Sequence, residues 1–152
     1  MKYLKPGDTA PDFSFENQKG ERSSLENFRG KKLILYFYPK DDTPGCTAEA
    51  CNLRDNFQLL KDKGFEIIGV SPDNETSHSK FISKFDLPFE LIADTDKKIL
   101  NDYGVWGEKK MFGKVKEGVF RTTFVIDETG KIEKVIKEVQ TKDHSQQILS
   151  EY

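Results

Sequence analysis

Apolar residues recur along this chain at two periods, two and about 3.6, and glycine- or proline-bearing turns mark where one gives way to the other. Asp12-Phe13-Ser14-Phe15-Glu16 alternates polar and apolar, and Asn17-Gln18-Lys19-Gly20 supplies turn chemistry. Together they predict an N-terminal β-hairpin. Ser23-Ser24-Leu25-Glu26 matches a capping box and predicts one short helical turn. Leu33 to Tyr38 is a continuous apolar run stopped by Pro39, the pattern of a strand buried on both faces. From Thr43 or Pro44 to about Lys63, the spacing of Cys46, Ala50, Leu53, Phe57 and Leu60 predicts one helix with an apolar stripe, closed by Gly64.

The pattern continues with a strand over 65–71, a helix from about Glu75 to Phe85, a short strand from Glu90 to Ala93 and a short helix from Asp96 to Tyr103. Residues 104–118 (GVWGEKKMFGKVKEG) carry four glycines and no period, and read as a loop. Arg121 to Ile126 and Lys131 to Ile136 read as strands joined by Asp127-Glu128-Thr129-Gly130, and a closing helix follows from about Lys142. Two parallel βα units followed by an antiparallel hairpin give an α/β architecture, a mixed central sheet with helices on both faces. That order is thioredoxin-like. No repeat or long linker interrupts it, so residues 1–152 read as one domain.

Composition narrows the function classes. A third of the 152 residues are charged, yet the signs nearly cancel at a net charge of −2. Nucleic acid or an anionic membrane would call for a basic stripe instead. The first residues, Met1 to Asp8, lack the apolar core of a secretory signal, and no apolar run is long enough to cross a bilayer. A cytoplasmic protein is the expectation. In that compartment structural disulfides are rare, so a close cysteine pair points to redox chemistry or metal binding.

The chain has two cysteines, Cys46 and Cys51, five positions apart. Cys46 follows Thr43-Pro44-Gly45, which reads as a helix start, where unpaired N–H groups and the positive end of the macrodipole favour a thiolate. A thiolate is the nucleophilic form of cysteine. Five residues of α-helix turn about 140° and place the two Cα atoms roughly 8.7 Å apart. A disulfide requires less than about 7 Å, so the two sulfurs bond only after the first turns unwind. A helix start is the fraying end, where opening is least costly. The alternative for Cys51 is a small buried apolar side chain. Zinc is disfavoured, because only His78 and His144 are available and neither has ligand spacing. Asp41-Asp42 lacks the spacing of a calcium loop.

The string Pro39-x-x-x-Thr43-x-x-Cys46, with Arg121 opening a strand far downstream, resembles the active site of the peroxiredoxins. The wider run Tyr36 to Thr47 with Cys51 downstream is similar to the bacterioferritin comigratory (PrxQ) branch of that family. Ala10-Pro11-Asp12-Phe13, Gly69-Val70-Ser71, Tyr103-Gly104-Val105-Trp106-Gly107 and Arg121 to Asp127 extend the likeness from about residue 5 to the end. The resemblance implies a thiol peroxidase acting on hydrogen peroxide and organic hydroperoxides. Cys46 would attack, Cys51 would resolve, and thioredoxin or a similar dithiol would regenerate a monomeric enzyme. No metal, haem or flavin is implied.

The chemistry fits those residue types. Thr43 places a hydroxyl one turn before Cys46. Arg121 keeps its charge and offers forked donors to a thiolate or a departing oxyanion. Pro39 removes a backbone donor and walls the pocket. Backbone N–H groups of Gly45 and Cys46 complete a cradle. Glu49 would either hold Arg121 or complement the helix dipole. Trp106, Met111 and Phe112 would wall the pocket or pack elsewhere. Two other readings stand beside the peroxidase. One is a thioredoxin-type disulfide oxidoreductase, against which the Cys46–Cys51 spacing and Arg121-Thr122-Thr123 in the place of a cis-proline both count. The other is a redox sensor without turnover.

Overall fold

A computed structural model describes residues 4–152, apart from the side chain of Met111. Its centre is a five-stranded sheet in the order β5-β4-β3-β8-β9. The strands are β3 (Lys32–Phe37), β4 (Phe65–Ser71), β5 (Glu90–Ala93), β8 (Thr122–Ile126) and β9 (Ile132–Ile136). Strands β3, β4 and β5 run parallel, and β8 and β9 return antiparallel, which is the mixed sheet expected from the alternation of elements. Every residue of β3 but the first is buried, because helices cover one face and an N-terminal segment together with a further short helix covers the other.

Those faces form two apolar cores. Ile34 and Tyr36 of β3 point to α1 (Pro44–Asp55), α2 (Phe57–Asp62), α3 (Glu75–Phe85) and α5 (His144–Leu149), packing with Ala50, Leu53, Leu60, Phe81 and Ile148. Leu33, Leu35 and Phe37 point the other way, to Phe15, α4 (Lys98–Asp102), Tyr103 and Phe124. An antiparallel pair β1 (Ser14–Glu16) and β2 (Arg22–Ser24) forms the expected N-terminal hairpin. A 3-10 turn over Leu25–Phe28 follows, and its capping pair is one residue later than the motif suggests: the Ser24 N–H donates to Asn27 Oδ1 at 2.8 Å.

Two expectations are corrected. The helix predicted from 43 to 63 is two helices, broken at Asn56 (φ −108°, ψ 13°). The Asn56 side chain donates to the Asn52 carbonyl at 2.9 Å and so competes with continuation of the helix. Residues 104–118 are largely not a loop: β6 (Trp106–Met111) and β7 (Lys114–Val119) form a separate antiparallel hairpin. Phe112 and Gly113 at its tip both have positive φ, 53° and 75°, the requirement of a tight two-residue hairpin turn.

Candidate active site

The site forms at the carboxyl end of β3, where open α/β sheets place their ligands. The strand ends at Phe37, and Pro39 is half-buried in the arm that follows. Asp42 takes a left-handed conformation (φ 58°) just before the helix start. Thr43 is extended, Pro44 opens α1, and the Thr47 N–H closes the first turn on the Thr43 carbonyl at 2.8 Å. Proline suits that first position, where its missing N–H would have had no partner anyway. Cys46 is therefore the third residue of α1, within the turn whose N–H groups lack helical acceptors. Its side chain is 1% exposed.

Arg121 reaches the same point from the opposite direction. Phe37 pairs with Thr122, so the residue before β8 lies at the carboxyl end of β3. Its Nη2 donates to Cys46 Sγ at 3.3 Å, and its Nη1 donates to Glu49 Oε1 at 2.8 Å. A Cβ added to Gly45 would stand 3.1 Å from Nη2, so this glycine leaves room for the guanidinium over the helix start. Cys46, Arg121, Gly45 and Glu49 are thus gathered at one place. Of the two readings open for Glu49, contact with Arg121 is the one observed.

Beneath the guanidinium is a buried polar network whose histidine, His144, no local motif places here. Glu49, Thr123 and His144 are each 0% exposed. Burial pushes the Glu49 carboxyl up to about 7, with Arg121 pulling the other way. Burial pushes the His144 imidazole down to about 4; the bond to Gln147 opposes this and the Arg121 charge adds to it. Gln147 donates its amide to the Glu138 carbonyl at 2.8 Å, which turns its oxygen toward His144 Nδ1 at 2.9 Å. A neutral His144 therefore carries its proton on Nδ1, and Nε2 accepts from the Thr123 hydroxyl at 2.7 Å. Glu49 Oε2 lies 3.4 Å from that nitrogen and has no hydrogen-bond partner among the described residues.

Tyr36 lies under the same corner. Its ring sits where Gly69 lacks a side chain, since a Cβ there would come within 2.8 Å of Tyr36 Cζ. Burial, with the negative charges of Glu49 and Cys46, pushes the Tyr36 phenol well up. On the other side Lys109 of β6 donates to the Val119 carbonyl at 2.6 Å. Burial and then Arg121 press its amine below the ordinary lysine range, while Cys46 opposes them, so this ammonium belongs to the electrostatic surroundings of the sulfur.

The remaining sequence candidates fall as follows. Thr43 occupies the N-cap position, but its side chain caps nothing: Oγ1 donates to the Lys40 carbonyl at 2.9 Å. With that proton committed, the hydroxyl presents only lone pairs. Cys51 is half-buried on α1, and both cysteines are free thiols. The residue after it, Asn52, is pinned to the C-terminal segment: Oδ1 accepts from the Ser145 N–H at 2.7 Å and Nδ2 donates to the Lys142 carbonyl at 3.0 Å. Phe112 does not wall the site, being 98% exposed at the hairpin tip. Trp106 packs against the core and donates Nε1 to Glu117 at 3.1 Å. The Met111 side chain lies outside the described residues.

A family model described as AhpC/TSA matches residues 6–135. The chain is 44% identical over 150 residues to peroxiredoxin Bcp of Escherichia coli K12, covering 99% of this chain and 96% of that one. A putative peroxiredoxin bcp of Helicobacter pylori J99 is 44% identical over 149 residues, 98% of each. Among solved structures, a cysteine-to-serine mutant of Xylella fastidiosa PrxQ superposes with a TM-score of 0.90 at 27% identity, over 99% of this chain and 96% of that one. The bacterioferritin comigratory protein of Xanthomonas campestris, in work on its alkyl peroxide reduction, gives 0.85 at 31% identity, over 91% and 88%. The thioredoxin-like arrangement read from the element order is shared with these structures.

Proposed function

The chain belongs to the peroxiredoxins of the AhpC/TSA family, and from that premise we propose that it is a peroxidase that reduces hydrogen peroxide and organic hydroperoxides through Cys46 and Cys51. The observation that carries this reading is the Arg121 guanidinium held 3.3 Å from Cys46 Sγ, at the mouth of α1. A cation on the sulfur stabilises its thiolate, and the same donors can follow charge onto a departing oxygen.

The Cys46 thiolate attacks the terminal oxygen of the peroxide. The S–O bond forms as the O–O bond breaks, and the leaving oxygen departs as alkoxide or hydroxide and takes up a proton. Cys46 is left as a sulfenic acid and the peroxide is reduced to alcohol or water. Thr43 suits the orienting role, since a hydroxyl whose proton is bound to Lys40 can only accept the O–H of the peroxide. Pro39 would shield the sulfur from one side, and the N–H groups of Gly45 and Cys46, in the turn that lacks helical acceptors, would donate to the reacting oxygens. Glu49 holds the guanidinium in place.

Resolution follows. The first turns of α1 unwind, and the Cys51 thiol attacks the sulfenic sulfur, expelling water and forming the intramolecular disulfide. A dithiol protein of the thioredoxin kind restores both thiols by exchange. The cycle closes within one chain, which suits a monomer working in the cytoplasm. The test is peroxide-dependent oxidation of NADPH with thioredoxin and its reductase. Wild-type protein is expected to turn over many equivalents and Cys46→Ser none; consumption by Cys46→Ser near the wild-type rate would overturn the assignment.

A further inference from the structure

Outside this network, the fold brings Asp41 and His78, 37 positions apart in sequence, into one buried cluster. Asp41 is 7% exposed and His78 is 0% exposed. The Asp41 carboxylate receives the Tyr38 hydroxyl at 2.6 Å on Oδ1, and the Ser77 hydroxyl and His78 Nδ1, both at 2.7 Å, on Oδ2. The Asp41 N–H donates to Asp73 at 2.6 Å, and His78 Nε2 stands 3.0 Å from the Ile92 carbonyl. A carbonyl only accepts, so Nε2 carries a proton, and a further proton is shared between Nδ1 and Oδ2. Burial opposes charge on Asp41, yet the hydrogen bonds from His78, Tyr38 and Ser77 outweigh it and hold the acid below its ordinary range.

We infer that His78, acting through Asp41, is a positioning residue for the arm 39–43 that presents Pro39 and Thr43 to Cys46; the inference rests on the peroxidase reading above. The arm has few other holds. Among the described residues its one exposed ion pair is Asp42 with Lys84, at 2.7 Å, which is worth little in water. Thr43 is tied to the arm itself, through the Lys40 carbonyl next to Asp41. The chain of contacts therefore runs from Ile92 in β5 through His78 and Asp41 to the backbone that carries the Thr43 hydroxyl. An apolar contact would let the arm slide; a buried, directional pair fixes its register. The same pair supplies a fixed point on the strand side when α1 unwinds.

The two amide substitutions separate the two ring nitrogens. Asparagine can keep a donor near Nδ1, toward Asp41, and glutamine keeps one near Nε2, toward Ile92. Reduced proteins are mixed with hydrogen peroxide in single-turnover stopped flow, which resolves sulfenic acid formation from disulfide formation. His78→Gln is expected to slow the first step about 10-fold, as small misplacements of reacting groups do, and to quicken the second. His78→Asn is expected to restore the first step. Loss of fold alone would reduce the amplitude and leave the rate of the folded fraction unchanged, so a wild-type first step in folded His78→Gln overturns the inference. Should that variant not fold, Ser77→Ala removes one donor from the same oxygen, with a loss of about threefold expected; an unaltered rate there overturns it equally. Failure of the wild type itself to react at Cys46 would instead strike the peroxidase reading, and the inference with it.

Discussion

Arg121 and Cys46 lie 75 positions apart in sequence and meet at 3.3 Å, in a contact that only the antiparallel return of β8 beside β3 makes possible. The guanidinium is shared rather than dedicated: one arm faces the sulfur and the other the buried Glu49 carboxylate at 2.8 Å. Glu49 is three residues after Cys46 on the same helix, so helix, arginine and sulfur form a closed triangle. Unwinding the first turns of α1 breaks two sides of it at once. The contact of the guanidinium with the sulfur therefore depends on the helix being formed.

Arg121→Ala is expected to lower the second-order rate with peroxide by about 100-fold, the usual loss for one oxyanion donor. It should also move thiolate alkylation by iodoacetamide to higher pH. Arg121→Lys should recover part of the alkylation profile and little of the rate, because an ammonium lacks the planar fork that reaches sulfur and carboxylate together. An unaltered alkylation profile in Arg121→Ala would remove the residue from the site.

How much of this was legible depended on local signals. Helix α3 ends where Glu75 and Phe85 were expected, because Asn74 caps it and its apolar period is clean. The hairpin 106–119 was missed because its two strands pair only with each other, leaving charged residues such as Glu108, Lys110 and Lys116 exposed, with no inward face to create a period. The break at Asn56 was hidden for the opposite reason, since Leu53 and Leu60 keep one buried stripe across both helices. Cys46, Gly45, Glu49 and Arg121 were legible as chemistry, with the Glu49 partner left open. His78 and His144 were not, because their partners Asp41 and Thr123 lie 37 and 21 positions away and no local rule joins them.

Cys51→Ser should keep the first oxidation and lose the intramolecular disulfide. Helix geometry separates the two Cα atoms by roughly 8.7 Å, beyond bonding reach, so in the wild type disulfide formation reports unwinding. After one equivalent of peroxide, mass spectrometry should find sulfenic or mixed-disulfide species at Cys46 in the variant and a loss of two hydrogens in the wild type. A two-hydrogen loss in the variant would contradict the resolving role.

Glu49 and His144 give opposite pH dependences of stability. The folded Glu49 carboxyl, raised from 4.5 to about 7, contributes stability that is full below the unfolded value and lost as pH rises toward 7. The folded His144 imidazole, lowered from 6.5 to about 4, contributes stability that is full above the unfolded value and lost as pH falls toward 4. Between the two unfolded values, the slopes oppose each other. Glu49→Gln should expose the histidine slope, with urea midpoints rising from pH 4.5 to 6.5. The limit is about 1.4 kcal/mol per pH unit for one proton. A midpoint that falls with pH over that window would contradict the assignment.

Asn52 would set the far limit of the proposed unwinding. It follows Cys51 directly, and its side chain is bonded to Ser145, Lys142 and Gln146 of the C-terminal segment at 2.7, 3.0 and 3.3 Å. Its carbonyl also takes the Ser145 hydroxyl at 3.2 Å. Opening that starts at the free end of α1 meets this clamp just past the second cysteine, so the clamp resists the excursion that brings the sulfurs together. Asn52→Ala removes the side-chain half of it. Lowering the cost of opening by about 1 kcal/mol should speed disulfide formation roughly fivefold. A sulfenic acid that is captured sooner has less time to meet a second peroxide, so the fraction of Cys46 reaching sulfinic acid at high peroxide should fall. Intact-mass measurement of the two-oxygen adduct across a peroxide series checks this directly, and a fraction equal to or above wild type would show that the C-terminal segment does not govern opening.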